Sequence, residues 1–456
     1  MKLSILRKVG LGIVLATGVP LWAQGNGASD PAASAVPDAA SNSATGDDRM
    51  QVPAPISGAA YPTTYTAEEK SNYLHGGFIF TTAYSDNVLV GASGQPLSDV
   101  SYSVFPNIAL DQTTSRLHWV LSYAPGFTFY QRDSGQNQQN QNLSGNFRYR
   151  LSPHVTLSLQ DSFQKSSSIL DQPGLASTPV TGNAQGGGIA IVSPLADQLN
   201  NRAGVDLTYQ FSASDMVGAS GSFSNLHYLH PAQVPGLVDS SVQGGSAFFN
   251  HRLSKRHYVG ASYQYQRIAA YPTGPQNVTQ TNAVMAFYTF YPQPRLSFSV
   301  SGGPQHSDVQ QAPLPSAQSW SPAVTASMGW QAHHTNVAAS YSRIISGGGG
   351  LVGAFHSNTA NLSLRQQLSR NWAGQIVGAY AINKNVTPLS FLFSPGGHSI
   401  SGGVSVQRKL GQHWGAEAGY TRLHQSYSGI AAISTVPDTN REFVSISYQF
   451  SHPLGR

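Results

Sequence analysis

From Tyr73 to Phe450 the chain alternates apolar with small or polar residues in runs of about 9–12 positions, the length a tilted membrane strand needs. A period of two puts the apolar side chains on one face of an extended strand and the polar ones on the other. Val444, Ile446, Tyr448 and Phe450 share one face against Ser445, Ser447 and Gln449. Val205, Leu207, Tyr209 and Phe211 oppose Asp206, Thr208 and Gln210, and Val324, Ala326, Met328 and Trp330 oppose Thr325, Ser327 and Gln331. Leu362, Leu364 and Leu368 oppose Asn361, Ser363, Arg365 and Gln367. The second face is too polar to be the core of a sandwich. One face suits lipid and the other water.

The punctuation between runs sets the topology. Short turns at Ser152-Pro153-His154, Ser212–Asp215, Ser254-Lys255-Arg256, Pro292-Gln293-Pro294, Ala332-His333-His334, Ser369-Arg370-Asn371 and Gly411-Gln412-His413 alternate with longer Gly/Pro/Ser/Gln-rich connectors such as Ser307–Trp320 and Ser346–Phe355. The last apolar residue before successive short turns falls at Leu110, Leu151, Phe211, Leu253, Tyr291, Trp330, Leu368, Leu410 and Phe450, a spacing of about forty residues with one longer interval. One hairpin plus its outer loop is the repeating unit. The expectation is an all-β protein: a transmembrane antiparallel up-and-down β-barrel of about 18 strands with both termini periplasmic. Sixteen strands is the alternative, because Pro106 interrupts the second run and Arg343 falls on the apolar face of the thirteenth. A β-propeller also repeats near forty residues, but a blade packs four strands into each repeat where this chain holds two long ones.

Composition agrees with a barrel. Only 10% of residues are charged, against about 25% in soluble domains. Away from the N-terminus no apolar run approaches the ~18 residues of a membrane helix. Lys2, Arg7 and Lys8, the apolar Val9–Leu21 and a cleavage position after Ala23 read as a signal peptide over residues 1–23, with an uncleaved anchor helix as the alternative. Residues 24–72 are rich in Ala, Ser, Pro and Asp and lack periodicity, the composition of a disordered periplasmic tail. The barrel is expected over 73–450, with 451–456 as a C-terminal tail. The chain has no cysteine, which excludes a lipid-anchored N-terminus, disulfides and thiolate metal sites. The net charge of +5 is too mild for a nucleic-acid partner.

Two groups of residues follow from the strand phase. Arg148, Arg150, Arg365 and Lys409 fall on the polar face, with Asp206 and Glu417 as acidic counterparts; they are expected to line the lumen, where a charge is hydrated, whereas at the lipid midplane it costs ~2–4 kcal/mol. They could bias a pore toward anions or brace the wall as ion pairs. Trp119, Tyr291, Trp330, Trp372 and Trp414, with Tyr149, Phe211, Tyr258 and Phe450, lie near the short turns and are expected to form an aromatic girdle at the headgroup level.

No catalytic set, metal site or cofactor site emerges. His333-His334 and His227/His230 read as exposed loop residues rather than ligands, and Gly347–Gly350 lacks the following Lys-Ser/Thr of a phosphate loop. The chain is not expected to be an enzyme. Ser166–Leu199 is the longest connector, and its Ile189–Val192 patch suggests a loop folded into the lumen as a constriction. A cell-surface contact is the competing expectation.

The segments Gly76–Val90, Ser98–Gln112 and Leu117–Tyr130 resemble the beta-barrel porin 2 group, through Tyr84-Ser85-Asp86-Asn87-Val88, Ser98-Asp99, Pro106 and Tyr123/Tyr130. The group includes barrels found with exopolysaccharide export. The resemblance implies a bacterial outer-membrane barrel and supplies no catalytic residue. Tyr448-Gln449-Phe450 is similar to the aromatic-ended signal read by the barrel assembly machinery, with six residues following it. The expected activity is porin-like passive passage of small hydrophilic solutes, anions among them. Exopolysaccharide export or surface attachment is the first alternative; a structural protein or adhesin acting through its outer loops is the second. Expected partners are outer-membrane lipid, the assembly machinery, and polysaccharide or small anionic solutes.

Overall fold

The computed structural model describes Met50 and residues 72–88, 96–167, 197–230, 237–272, 276–293, 295–311, 315–348, 351–386, 396–428 and 438–454. The expected signal peptide, most of the tail and the Ile189–Val192 patch lie outside the described residues.

Eighteen strands form a single sheet. They are β1 (Tyr73–Ser85), β2 (Asp99–Thr113), β3 (Leu117–Tyr130), β4 (Gln138–Arg150), β5 (Val155–Ser166) and β6 (Gln198–Gln210). Next come β7 (Asp215–Tyr228), β8 (Asp239–Ser254), β9 (His257–Tyr271), β10 (Asn277–Gln293), β11 (Leu296–Gln311) and β12 (Ala317–Gln331). The last six are β13 (Thr335–Gly348), β14 (Leu351–Gln367), β15 (Trp372–Asn385), β16 (Gly396–Lys409), β17 (Trp414–Ser428) and β18 (Asp438–Pro453). Each strand pairs antiparallel with its sequence neighbours, and β1 pairs β18 from Tyr73↔Pro453 to Ser85↔Arg441. The sheet closes on itself as a barrel, and beyond Val324↔Arg343 the ends of β12 and β13 each keep a single ladder. Closure lets the ladders satisfy strand backbone groups without water, as a membrane requires. The count is eighteen rather than sixteen.

All the short connections lie at one end, together with Tyr73 and Pro453; the longer ones lie at the other. Pro106 sits inside β2, opposite Phe78, with its ring on the outer face. The β2–β3 register breaks off at Val104↔Phe127 and resumes at Ile108↔Tyr123, because proline cannot donate to the ladder. The strand survives because its pairing with β1 is continuous.

The alternation resolves into two surfaces. Ile108, Leu121, Val205, Leu207, Val284, Val300, Leu362, Ile376, Val404 and Val444 stand outward and exposed around the barrel. An apolar belt encircling the molecule is far larger than the patches of a few hundred Å² that water-soluble proteins tolerate; it is a lipid-facing surface.

Two expected outer connectors are corrected. Ser307–Trp320 is mostly strand, since β11 runs to Gln311 and β12 starts at Ala317. Ser346–Phe355 is a β-hairpin tip rather than a loop, with β13 and β14 separated by two residues. Its backbone paired despite the glycine run because Ser346↔Phe355 and Gly347↔Ala354 continue the ladder.

Candidate functional site

The site is the inner wall of the barrel. Inward positions carry mainly Ser, Thr, Asn and Gln, joined by cross-strand hydroxyl pairs such as Ser122–Ser144 at 2.6 Å, Ser220–Ser246 at 2.6 Å and Ser342–Thr359 at 2.7 Å. These short side chains leave room that longer ones would fill. Gln160 on β5 and Ser222 on β7 are inward and exposed, so this sector of the wall meets water. The opposite wall differs. On β15 the inward Ala373, Gln375, Val377, Ala379, Ala381 and Asn383 are all buried.

Large inward rings are kept against the wall by glycine. Phe248 and Phe443 stand directly opposite Gly218 and Gly419. A Cβ added to those glycines would come within 2.3 Å of the Phe248 ring and 2.6 Å of the Phe443 ring. Phe105 covers Gly126 in the same way. A ring over a glycine lies flat on the sheet, an arrangement that also protects the glycine backbone.

The expected inward charges all take the inward phase. Arg148 opposes Ser158, which opposes Asp206, so Arg148 and Asp206 share a row two strands apart, about 10 Å at the level of the backbone. Arg365 opposes Gln375. Glu417, buried at 7% exposure, stands opposite Gln407 on β16 with Ser405 beside it, and lies within the field of Arg365. Arg150 and Lys409 are exposed at the short-turn rim. Arg365 on β14 thus stands three strands from Glu417 on β17 and reaches it through its field, while Arg148 and Asp206 stand two strands apart across Ser158.

Several inward charges were missed by sequence reasoning although the same parity selects them. Arg202 stands between Ser162 and Ser224, four residues before Asp206. Arg441 stands between Thr421 and Ser85. His118 Nε2 lies 3.3 Å from Asp111 Oδ1. Arg343 does face outward, opposite Val324, near the long-loop end. Asp161 is also outward, mid-strand between Gly145 and Ala203, and its Oδ1 is buried with no hydrogen-bond partner.

Four of the five principal residues expected in a girdle take the outward face. Trp119, Trp330, Trp372 and Trp414 face outward near the short turns. The guanidinium of Arg408 lies 5.1 Å over the Trp372 ring, and Trp414 packs on Tyr448 at 5.0 Å. Tyr448 and Phe450, the proposed assembly signal, are outward as well; Phe450 covers Gly76. Tyr291 is a correction. It takes the inward phase and packs edge-on against Tyr258, itself inward, at 5.7 Å. The register shift between Phe290 and Gln293 falls beside it, and proximity to a turn does not decide the face. A second set of outward aromatics, including Tyr84, Tyr102, Phe129, Tyr271 and Trp320, lies toward the long-loop end.

The least expected part of the site is the tip of the β13–β14 hairpin. β13 pairs β12 only as far as Arg343, then leaves the wall with β14 as its sole partner. Ile345 and Ala354 pack on the inward Ile268 of β9, beside Val242 of β8 and Val386. The Ile345 N–H donates to Gln305 Oε1 at 3.2 Å on the inner face of β11. Gly353, at φ +107°, occupies a conformation that favours glycine. The hairpin therefore bends into the long-loop mouth and bridges to the inner faces of β8, β9 and β11. Burial of Ile345, worth about 1.5–3 kcal/mol, favours that course over exposure to water.

No family model and no curated protein sequence matches the chain. Solved structures with a similar architecture include OpdK from Pseudomonas aeruginosa with vanillate (9% identity, TM-score 0.40, covering 83% of this chain and 99% of that one). OccK2 from P. aeruginosa in complex with glucuronate is similar at 9% identity and TM-score 0.41, covering 83% and 98% of the two chains. The FrpB iron transporter from Neisseria meningitidis aligns at 10% identity and TM-score 0.40 over 80% of this chain, which spans only 64% of that protein's length. These are likenesses of barrel architecture, and the ligands are those of the proteins that bind them.

Proposed function

We propose that this chain is a bacterial outer-membrane channel through which small hydrophilic solutes diffuse passively, without catalysis. The observation that carries the reading is the polar inner wall enclosed by an apolar outer belt, with inward Phe rings laid flat over glycines. A structural scaffold has no need to keep its interior polar or to hold rings against the wall. Anions are the favoured cargo, because the inward cations Arg148, Arg150, Arg202, Arg252, Arg365, Lys409 and Arg441 outnumber the inward acids Asp99, Asp111, Asp206 and Glu417. In this reading the short turns and both termini are periplasmic, Tyr448 and Phe450 are read by the assembly machinery, and the four outward tryptophans sit at the headgroups. The sequence likeness to the beta-barrel porin 2 group supports membership of that group, with polysaccharide as the competing cargo.

Planar-bilayer recording of the purified barrel tests this. Discrete conductance steps with an anion-selective reversal potential in a KCl gradient are expected, and a protein that inserts without steps would overturn the channel reading. Block by dextran at concentrations where small organic anions pass freely would favour the polysaccharide.

A further inference from the structure

Met50 lies far from β1 in space although only 22 residues precede Asn72 along the chain from it. Its side chain is buried in a cluster with Met216 of β7 and Phe248 of β8, against which Tyr258 of β9 also packs. Its backbone N–H donates to Gln210 Oε1 at 2.9 Å. All four wall residues are inward and near the short-turn end. Gln210 opposes Met216, Phe248 opposes Gly218 and Ser262, and Tyr258 opposes Thr289. Met50 is therefore inside the mouth of the barrel, on the wall of β6–β9, well round the ring from the strand that the tail leads into.

The receiving surface has the makings of a pocket. Phe248 lies flat over Gly218, which leaves a shallow apolar floor, and Met216 forms one side. Tyr258 is braced by Tyr291; sequence reasoning had placed both in the girdle, and both face inward. Asn250, inward in the same row as Met216, is fully buried with both amide atoms lacking a hydrogen-bond partner. Thioether and aromatic groups make favourable contacts, and an unbranched Met fills an irregular gap well.

We propose that this pocket is a docking site for the chain's own N-terminal tail, with Met50 as the anchor and Gln210 as the group that fixes its backbone. The tail is then held within the short-turn mouth instead of hanging free of the barrel. Solutes would share that entrance with it. The proposal stands independently of the channel reading, since it concerns where the tail binds.

Two measurements on the full mature chain test it. The chain has no cysteine, so paired substitutions give an unambiguous crosslink. Met50→Cys with Met216→Cys should form an intramolecular disulfide in the folded barrel, identified by mass spectrometry of the linked peptides. Met50→Cys with Ser144→Cys, on the inner face of β4, is the control and should not. Arg49 offers trypsin a cut next to the anchor. Cleavage after Arg49 should be slow in the native barrel and about tenfold faster in Met216→Asp, with heat-modifiable gel migration confirming that the variant is folded. Equal crosslinking in both pairs, or equal cleavage with and without Met216→Asp, would overturn the docking site.

Discussion

Phe105 covers Gly126 on the neighbouring strand so closely that a Cβ added to Gly126 would stand 2.5 Å from its ring. The contact sits where the β2–β3 ladder is interrupted, so the ring fills space that backbone pairing leaves open. Gly126→Ala should lift the ring off the wall and into the lumen. Overpacking of this kind costs about 1–3 kcal/mol, so a lower unfolding midpoint is expected together with a smaller single-channel conductance. Gly126→Ala combined with Phe105→Ala should recover the conductance. If the single variant conducts like the parent, the flat ring has no part in keeping the lumen open.

The inturned hairpin makes a second prediction. Ile345→Asp would place a carboxylate against Ile268 and Ala354, an unpaired buried charge that costs several kcal/mol unless the hairpin moves away. Because β13 is paired to β12 only up to Arg343, the tip can swing outward without breaking the barrel wall. Conductance should rise while the barrel's thermal stability changes little. A conductance unaltered by this substitution would show that the hairpin does not narrow the path.

Arg365 and Glu417 predict a non-additive pair. Removing Arg365 alone takes away the cation whose field reaches the buried Glu417 carboxylate. Arg365→Met should therefore destabilise the barrel in denaturant titration, and adding Glu417→Gln should return part of that loss. Additive losses from the two substitutions would sink the proposed coupling.

Asp161 is a carboxylate on the lipid face that accepts from the Ser162 backbone N–H, while its buried Oδ1 has no hydrogen-bond partner among the described residues. Asp161→Val should stabilise the barrel in lipid by about 1 kcal/mol, since an acidic side chain is unfavourable there, though less so than a basic one. Urea unfolding from vesicles measures the difference. A loss of stability would mean that Asp161 meets a polar partner on the outside.

The strands, their faces and their turns were legible because a period of two is a local signal that tertiary contacts reinforce. Trp372, Gly374, Ile376, Gly378, Tyr380 and Ile382 face outward as their parity requires, and Ala373, Gln375 and Asn383 face inward. Tyr291 was misplaced because two local cues conflict there: nearness to a turn suggests a girdle, while parity sends it inward beside Tyr258. The hairpin tip was misread because four consecutive glycines carry no face at all. What decides its course is the contact of Ile345 with Ile268, residues separated by 77 positions in sequence. Arg202 and Arg441 show the opposite case, legible by the rule that found Asp206 and Glu417. Met50 could not be found by periodicity, since it belongs to no strand.

The seam between the first and last strands has a consequence for the chain's order. Eight covalent short turns join neighbouring strands at one end of the barrel. At the ninth place the Leu454 N–H donates to the Asn72 carbonyl at 2.7 Å, the bond a turn would make, while Asn72 Oδ1 accepts from the Thr113 N–H. The ring thus has the geometry of nine turns and a break in one. A linker of a few residues from Leu454 to Asn72 would mend it, and new ends opened at another short turn would leave every ladder intact. In a molecule so nearly indifferent to its starting point, what the position of the break does determine is which strand carries the tail, and so how far Met50 must reach.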